Sequence, residues 1–283
     1  MRTRLVAVAG AVTLAVLAGC SSDAKTTDNN STSTTLAAAG RPLQILVSND
    51  DGYSAEGIDV LVEALRKLPD VKITVVAPLT NKSGTGSQIT SGPLTATQET
   101  TKSGYPATAV AGFPADAVTY GLTKVVTKTP DIVITGINEG QNLGPIASIS
   151  GTVGAAKAGL AAGIPALAAS QGLAATPDYP SAAKLVTDWV TARREVLLEG
   201  TAAKVVVNLN VPTCATGALR GLKQEPLSTV GGAAAVSAVP DCASTATDFT
   251  DDVTAFAAGF ATATEMNEPG ETVTSSTTWP ASS

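Results

Sequence analysis

The chain contains no histidine in its 283 residues, and this absence limits the chemistry that it can perform. Zinc sites usually include imidazole ligands, and serine and cysteine nucleophiles are commonly activated by a neighbouring histidine. Aromatic residues make up only 4% of the chain and charged residues only 15%. Any reaction must therefore use carboxylates, hydroxyls, amides, amines or a bound metal ion.

A surplus of positive charge is also absent, because the net charge is −6. Proteins that bind nucleic-acid polymers or anionic membrane surfaces usually carry basic patches, so neither partner is predicted. The negative net charge would also repel a phosphate ester rather than attract it. A nucleotide substrate would therefore depend on a bound cation and on local backbone N–H groups. The 44% of apolar residues indicates a globular fold.

Cysteine is scarce as well, with three residues and no CxxC spacing. The first, Cys20, ends the motif Leu17-Ala18-Gly19-Cys20, which follows Arg2, Arg4 and an apolar run over residues 5–18. This pattern is similar to a bacterial lipoprotein signal over residues 1–19, in which cleavage leaves a lipidated Cys20. An ordinary cleaved signal without lipidation is the alternative.

The segment 20–40 is rich in Ser, Thr, Ala and Asn and is predicted to be a flexible tether. The folded domain then covers residues 41–283, with a mobile tail at 270–283. We expect an exported protein, held on the extracytoplasmic side of the membrane through its N-terminal lipid alone. In an oxidising compartment, Cys214 and Cys242 are predicted to form a disulfide.

Apolar runs of strand length alternate with segments of helical periodicity. Strands are predicted at residues 43–48, 71–77, 107–111, 131–135, 166–170 and 204–211, the last closing the regular part. Helices are predicted after Ser54 as N-cap, from Pro114 to Val125, and at 150–162 and 182–198. This alternation indicates an α/β fold with a largely parallel sheet flanked by helices.

The segment Ser48-Asn49-Asp50-Asp51-Gly52 places two adjacent carboxylates at the end of the first strand. Paired acids at the carboxyl end of a strand can hold a divalent cation or a phosphate ester in an α/β sheet. The alternative is a turn in which Asn49 and Asp50 hydrogen-bond only their own backbone.

Two later loops contain further oxygen ligands. Ser83 follows the second predicted strand, and Asn138 lies in the Gly- and Asn-rich loop 136–144. Together with Asp50 and Asp51, these residues could hold one hard cation such as Mg²⁺, Mn²⁺ or Ca²⁺. The start of the 150–162 helix, Ser150-Gly151-Thr152, is predicted to bind phosphate through backbone N–H groups. Each of these polar residues could instead simply cap its own turn or helix.

These motifs resemble those of the survival protein SurE family. The resemblance is carried by segments that occur in the family order: Ile45 to Gly52 with Glu56-Gly57-Ile58, Val75 to Pro78 with Asn81 to Gly84, Gly112 with Pro114-Ala115-Asp116, Gly136-Ile137-Asn138 with Asn142-Leu143-Gly144, Ser150 to Ala156, and Asn208 to Pro212.

The resemblance implies a metal-dependent 5′/3′-nucleotidase that hydrolyses nucleoside monophosphates or other small phosphomonoesters. It implies a Rossmann-like core with a C-terminal extension or arm that is used in homodimers or tetramers. The metal ligands would be Asp50, Asp51, Ser83 and Asn138, with Asn49 and residues 150–152 contacting phosphate or substrate. One divalent ion per subunit would activate a water molecule for attack. Because Ser83 and Ser150 have no evident base to activate them, no covalent phosphoenzyme is predicted.

The chain departs from the family pattern around this site. It has Pro145 and Ile146 where the family usually has acidic residues, and Ile149 where it usually has tyrosine. Residues that surround a metal site tune its activity. The alternative function is therefore a non-catalytic extracytoplasmic lipoprotein that retains the fold and binds a nucleotide or a protein partner.

Overall fold

The computed structural model describes residues 40–267, except 231, 233, 234 and 236, together with Thr272–Val273. The predicted signal, the tether before residue 40, Cys20 and the rest of the predicted tail lie outside the described residues. Within the described ranges, no helix combines the length and apolar character needed to cross a membrane.

Ten strands form one mixed sheet in the part of the chain that the structure describes. Their bounds are β1 Leu43–Ser48, β2 Val71–Pro78, β3 Ala96–Thr100, β4 Pro106–Val110, β5 Ile132–Glu139, β6 Ala166–Gln171, β7 Val206–Val211, β8 Leu222–Gln224, β9 Ala261–Met266 and β10 Thr272–Val273. The spatial order is β10-β9-β7-β6-β5-β1-β2-β4-β3, and β8 pairs with β9. The six strands from β7 to β4 in this order are parallel, whereas β3, β9 and β10 pair antiparallel with β4, β7 and β9.

Five α-helices have described bounds: α1 Glu56–Leu65, α2 Pro114–Tyr120, α3 Gly151–Ala161, α4 Tyr179–Glu199 and α5 Asp252–Ala257. A 3-10 helix covers Gly144–Ser148. On one face of the sheet, Ile58 of α1 and Trp189 of α4 belong to one buried apolar cluster. On the other face, Val118 of α2 and Val153 of α3 belong to a second. Because both faces are covered, β1 has a nearly continuous apolar sequence, as is typical of a parallel sheet.

The strand order reverses beside β1. From β1 the chain moves to β2 and β4 on one side, and then returns to place β5 on the other side. The loops after β1 and β5 therefore leave the sheet in different directions and open a crevice at its carboxyl edge. The Asp50-Asp51 turn directly follows β1 and lies in this crevice.

Two helix predictions need correction. The N-cap residue of helix α1 is Ala55, whose side chain makes no capping hydrogen bond. The predicted N-cap at Ser54 is therefore wrong. Helix α2 begins at Pro114 as predicted but ends at Tyr120, and a π-helical turn follows at Gly121–Val125. Gly121 packs against Leu46, where a Cβ atom would lie only 3.1 Å from the leucine side chain.

Strand β5 extends further than the sequence predicts. It continues through the predicted loop as far as Glu139, with a register irregularity between Thr135 and Asn138. Asn138 and Glu139 pair with Ser170 and Gln171 of β6. The glycine-rich composition is typical of a loop, but these pairings keep the segment in the sheet.

Regular structure also continues after β7, where the sequence predicts its end. The predicted C-terminal extension contributes β8, β9 and β10 to one side of the sheet, together with α5. Cys214 and Cys242 are joined by a disulfide, with their Cα atoms 5.8 Å apart. This bond links the segment after β7 to the segment before α5.

Candidate functional site

The turn after β1 is fixed by its own side chains. The Asn49 Nδ2 atom donates to the Gly52 carbonyl at 2.9 Å, and the Gly52 N–H donates to Asn49 Oδ1 at 3.2 Å. Gly52 has a φ angle of 102°, which favours glycine. The Asn49 side chain is fully buried and positions the turn through these two hydrogen bonds. The turn therefore has the local hydrogen bonds of the alternative interpretation, and it also places a pair of carboxylates at the crevice.

Asp50 is only 3% exposed and faces the start of α3. Its Oδ1 atom accepts a hydrogen bond from the Thr152 hydroxyl at 2.7 Å. At Gly151 an added Cβ atom would lie 2.7 Å from Asp50 Oδ2, so only glycine allows this approach. Burial raises the pKa of Asp50, and the hydrogen bond from Thr152 opposes that effect.

Asp51 is held by the two other segments at the crevice. The Ser83 hydroxyl donates to its Oδ1 atom at 3.2 Å, and the Glu139 N–H donates to its Oδ2 atom at 3.1 Å. Burial and the neighbouring charge of Asp50 raise the pKa of Asp51 to about 6. Two adjacent carboxylates repel each other when both are ionised, and a bound cation would stabilise the doubly ionised pair.

Asn138 lies near the end of β5, and its side chain is held within its own segment. Its Nδ2 atom donates to the Gly140 carbonyl at 2.5 Å, which orients the side-chain oxygen as the group that can accept or coordinate. The next residue, Glu139, supplies the backbone contact to Asp51. The structure therefore brings the loops of Asp51, Ser83 and Asn138 together, as the predicted ligand set requires.

The oxygen ligands that the site offers fit a hard cation. Among the described residues there is no group of three or more His, Cys, Asp or Glu side chains arranged for a metal. The carboxylates of Asp50 and Asp51 would thus be completed by the hydroxyl of Ser83 and the amide oxygen of Asn138. Such an all-oxygen set suits Mg²⁺, Mn²⁺ or Ca²⁺ and does not suit a structural zinc site.

The side chains at the start of α3 have structural partners, as the capping alternative expects for Ser150. Ser150 is the N-cap, and its hydroxyl accepts from the Val153 N–H at 3.2 Å. Thr152 is fully buried, and its hydroxyl is directed to Asp50 rather than to a substrate. Phosphate binding at this helix start would therefore rely on backbone N–H groups and on the helix dipole.

A buried amide cluster behind the site was not predicted. Asn142 receives hydrogen bonds at its backbone carbonyl from Asn208 and Asn210, and its own N–H donates to Asn210 Oδ1 at 2.6 Å. The sequence contained a signal for it, since Asn142 and the Asn208 to Asn210 segment belong to the family motifs. Their sequence separation concealed the contact.

Known proteins with similar sequences support a family assignment. The family model "Survival protein SurE" matches residues 45–256. A protein of Thermosipho melanesiensis named 5′-nucleotidase SurE is 38% identical over 182 residues, which cover 64% of this chain and 69% of the relative. A protein of the same name from Prochlorococcus marinus strain MIT 9303 is 37% identical over 190 residues, covering 66% of this chain and 69% of the relative.

A solved structure supports the same assignment. The crystal structure of the SurE protein from Aquifex aeolicus matches with a TM-score of 0.63 and 28% sequence identity. The match covers 79% of this chain and 92% of that one, and it confirms the predicted α/β fold. On the sequence motifs, the family model and this structural match, the chain belongs to the survival protein SurE family.

Proposed function

We propose that the chain is a metal-dependent phosphomonoesterase that hydrolyses nucleoside 5′- or 3′-monophosphates to nucleoside and phosphate. The observation that carries this proposal is the meeting of Asp50, Asp51 and Ser83 at the crevice beside the N-terminus of α3, with Asn138 next in sequence to Glu139, whose N–H contacts Asp51. At the level of enzyme class, the relatives named 5′-nucleotidase confirm the prediction of a nucleotidase.

The four oxygen-bearing residues would hold one divalent cation per subunit. When bound, such a cation polarises a phosphoryl group and makes a coordinated water more acidic. Asp50 and Asp51 supply negative charge, while Ser83 and Asn138 supply neutral oxygens. The N–H groups at the start of α3 would bind the remaining phosphate oxygens and orient the ester for attack.

We further propose direct attack by water. The water oxygen forms a new bond to phosphorus and gives up a proton to solvent, the bond from phosphorus to the nucleoside oxygen breaks, and that oxygen takes up a proton from solvent. No histidine is present to activate a serine, and the Ser150 hydroxyl serves as the α3 cap. Ser83 does donate to Asp51, an arrangement that could also support a serine nucleophile.

The stereochemistry at phosphorus distinguishes the two routes. Direct attack by water inverts the configuration of an isotopically chiral phosphate ester, whereas a phosphoserine intermediate gives net retention. We expect inversion and no phosphorylated Ser83 after acid quench and mass spectrometry. Retention would refute direct attack.

Exposed apolar side chains near the crevice favour a nucleoside over a small polyol as leaving group. Ile149 precedes Ser150 and is 61% exposed. Leu173 is 54% exposed and lies 3.4 Å from the position of a Cβ atom at Gly140, the residue whose carbonyl holds Asn138. A nucleobase can bury such surface, and a glycerol group cannot bury as much of it.

Phosphate release from a substrate panel tests the proposed activity. The panel contains nucleoside 5′- and 3′-monophosphates and glycerol phosphate, each with Mg²⁺, Mn²⁺, Ca²⁺ or chelator. We expect metal-dependent release, fastest from nucleotides. If no phosphate is released with any metal while a nucleotide still raises the melting temperature, the non-catalytic alternative is correct.

We also propose that the protein is exported and anchored by lipid at Cys20. The signal pattern supports this, and the Cys214–Cys242 disulfide is consistent with an oxidising compartment. Stable anchoring needs more than one acyl chain, as a lipoprotein N-terminus provides. Cys20→Ala should move the protein out of the membrane fraction, and unchanged partition of that variant would exclude the anchor.

The predicted homodimer or tetramer remains part of the proposal, on the family resemblance alone. Light scattering coupled to size-exclusion chromatography of the purified protein would give the mass directly. A purely monomeric domain would contradict this part of the proposal.

A further inference from the structure

The buried amide cluster behind the site begins at β7. Asn208 Nδ2 and Asn210 Nδ2 donate to the Asn142 carbonyl at 2.9 and 3.3 Å, and the Asn142 N–H donates to Asn210 Oδ1 at 2.6 Å. All three asparagines are at most 6% exposed. The backbone N–H and the backbone carbonyl of Asn142 are therefore both held by side chains of β7.

The Asn142 side chain continues these contacts towards α3. Its Nδ2 atom donates to Ser170 Oγ at 2.9 Å and makes a longer contact of 3.5 Å to Thr152 Oγ1. An amide nitrogen can only donate, so an oxygen lone pair of Thr152 faces Asn142. The single hydroxyl proton of Thr152 is left for another acceptor.

That acceptor is Asp50 Oδ1, at 2.7 Å from Thr152 Oγ1. An ionised carboxylate can only accept, so the direction of this hydrogen bond is compatible with the charged form of Asp50. The Thr152 side chain is fully buried and cannot touch a substrate. Any effect of its hydroxyl on the reaction must therefore pass through Asp50.

We propose that Thr152 is a positioning residue, which orients the Asp50 carboxylate for cation binding through a directed hydrogen-bond chain from β7 by way of Asn142. This inference rests on the proposed function, because it takes Asp50 as a metal ligand. Partners that orient a ligating group typically change metal affinity or activity by about 10- to 100-fold when they are removed.

Three variants of the full protein test the Thr152 hydroxyl separately from the packing around it. Thr152→Val removes the hydroxyl with little change of shape, and Thr152→Ser retains it. The matched control is Thr264→Val on β9, because Thr264 is also buried and its hydroxyl donates to the Glu225 carbonyl at 2.7 Å. Mn²⁺ affinity is measured by calorimetric titration without substrate, alongside the melting temperature.

We expect Thr152→Val to weaken Mn²⁺ binding by about 10- to 100-fold, and the Ser variant and the Thr264 control to change it by less than about threefold. Saturating Mn²⁺ should then restore much of the lost kcat of Thr152→Val, which a general structural defect would not allow. Unchanged Mn²⁺ affinity in Thr152→Val would overturn the inference, as would equal losses in the Val and Ser variants.

Two further outcomes are informative. If the wild-type protein binds no divalent cation, the proposed function fails and the inference fails with it. If Thr152→Val does not fold, Asn142→Ala tests the same chain, because the backbone contacts to β7 remain while the side-chain donor is lost. Asn142→Ala should weaken Mn²⁺ binding by several-fold, and unchanged affinity would again refute the inference.

Discussion

The crevice and the segment after β7 both bury aspartates, but with different partners. In the segment after β7, Asp252 is fully buried, and its two oxygens accept from the Gly144 N–H and the Ser228 N–H at 2.8 Å each. At the crevice, Asp50 and Asp51 are adjacent, and the charge of Asp50 adds to burial in raising the pKa of Asp51.

Burial raises the pKa of Asp252 as well, so a shifted pKa does not by itself identify a functional carboxylate. The partners make the distinction. Two backbone donors from separate segments satisfy Asp252, which joins those segments and stabilises the fold. The pair at the crevice keeps a repulsion that a bound cation would relieve, so its charges serve binding rather than stability.

The largest expected contrast is between Asp51→Asn and Asp252→Asn. Polarisation by a bound metal contributes several kcal/mol to catalysis, so Asp51→Asn should lower kcat/KM by roughly 1,000-fold. Because the substitution removes the repulsion between the two carboxylates, it should not lower the melting temperature of the metal-free protein. The stabilisation that Mn²⁺ gives the wild-type protein should disappear.

Asp252→Asn should have the opposite profile. The amide nitrogen would face a backbone N–H, and leaving such a buried group unsatisfied costs about 1–3 kcal/mol. Activity per folded molecule should remain, as measured by phosphate release well below the melting temperature. Full activity in Asp51→Asn, or loss of activity without loss of stability in Asp252→Asn, would reverse the assignment of the two regions.

The disulfide gives the next largest effect, in the region that we assign to stability. Cys214 and Cys242 are 28 residues apart, and closing a loop of that size contributes about 3.5 kcal/mol in the chain-entropy model. The double variant Cys214→Ser/Cys242→Ser should therefore melt roughly 10 °C lower. Its kcat at 25 °C should stay close to the wild-type value, because the hydrogen bonds that hold Asp50 and Asp51 come from Thr152, Ser83 and Glu139 and not from the cysteines.

Reduction of the wild-type protein is the control for this variant. Treatment with a thiol reductant should lower its melting temperature by a similar amount and leave the double serine variant unchanged. A large loss of phosphatase activity at 25 °C in either case would mean that the disulfide-linked segment supports the site itself.

The crevice was predictable because its signals are local. The turn from Asn49 to Gly52 lies within a few residues of an apolar strand, and the parallel sheet follows from alternating periodicities. The contact between Thr152 and Asp50 was not predictable, because 102 residues separate the two side chains. The sequence predicted phosphate binding through the backbone N–H groups around Thr152, and it gave no signal that the Thr152 hydroxyl contacts a carboxylate.

The C-terminal strands were not predictable for a different reason. Residues 261–266 read Ala-Thr-Ala-Thr-Glu-Met, which lacks the large β-branched and aromatic residues that are typical of a strand. The segment is nevertheless fully buried between β7 and its other neighbours. Tertiary contacts, not local propensity, determine its conformation.

The smallest contrast compares two helix caps. Ser150 caps α3 at the crevice, and Asp251 caps α5 through the Thr254 N–H at 2.9 Å. Replacing either residue by alanine should cost about 1 kcal/mol of stability. Only Ser150→Ala should also change the reaction, because loss of the cap loosens the N–H groups that we expect to bind phosphate.

The kinetic readout separates these two consequences. We expect Ser150→Ala to raise KM for a nucleoside monophosphate by several-fold and to lower kcat without abolishing it, since one cap is lost while the cation ligands remain. Asp251→Ala should lose similar stability with unchanged KM. If both variants had the same KM, the start of α3 would have no special part in binding phosphate, and the Ser150 side chain would be only a helix cap. If Ser150→Ala were instead completely inactive while still folded, its hydroxyl would take part in the chemistry, and the direct-water route would need to be replaced by one that uses Ser150.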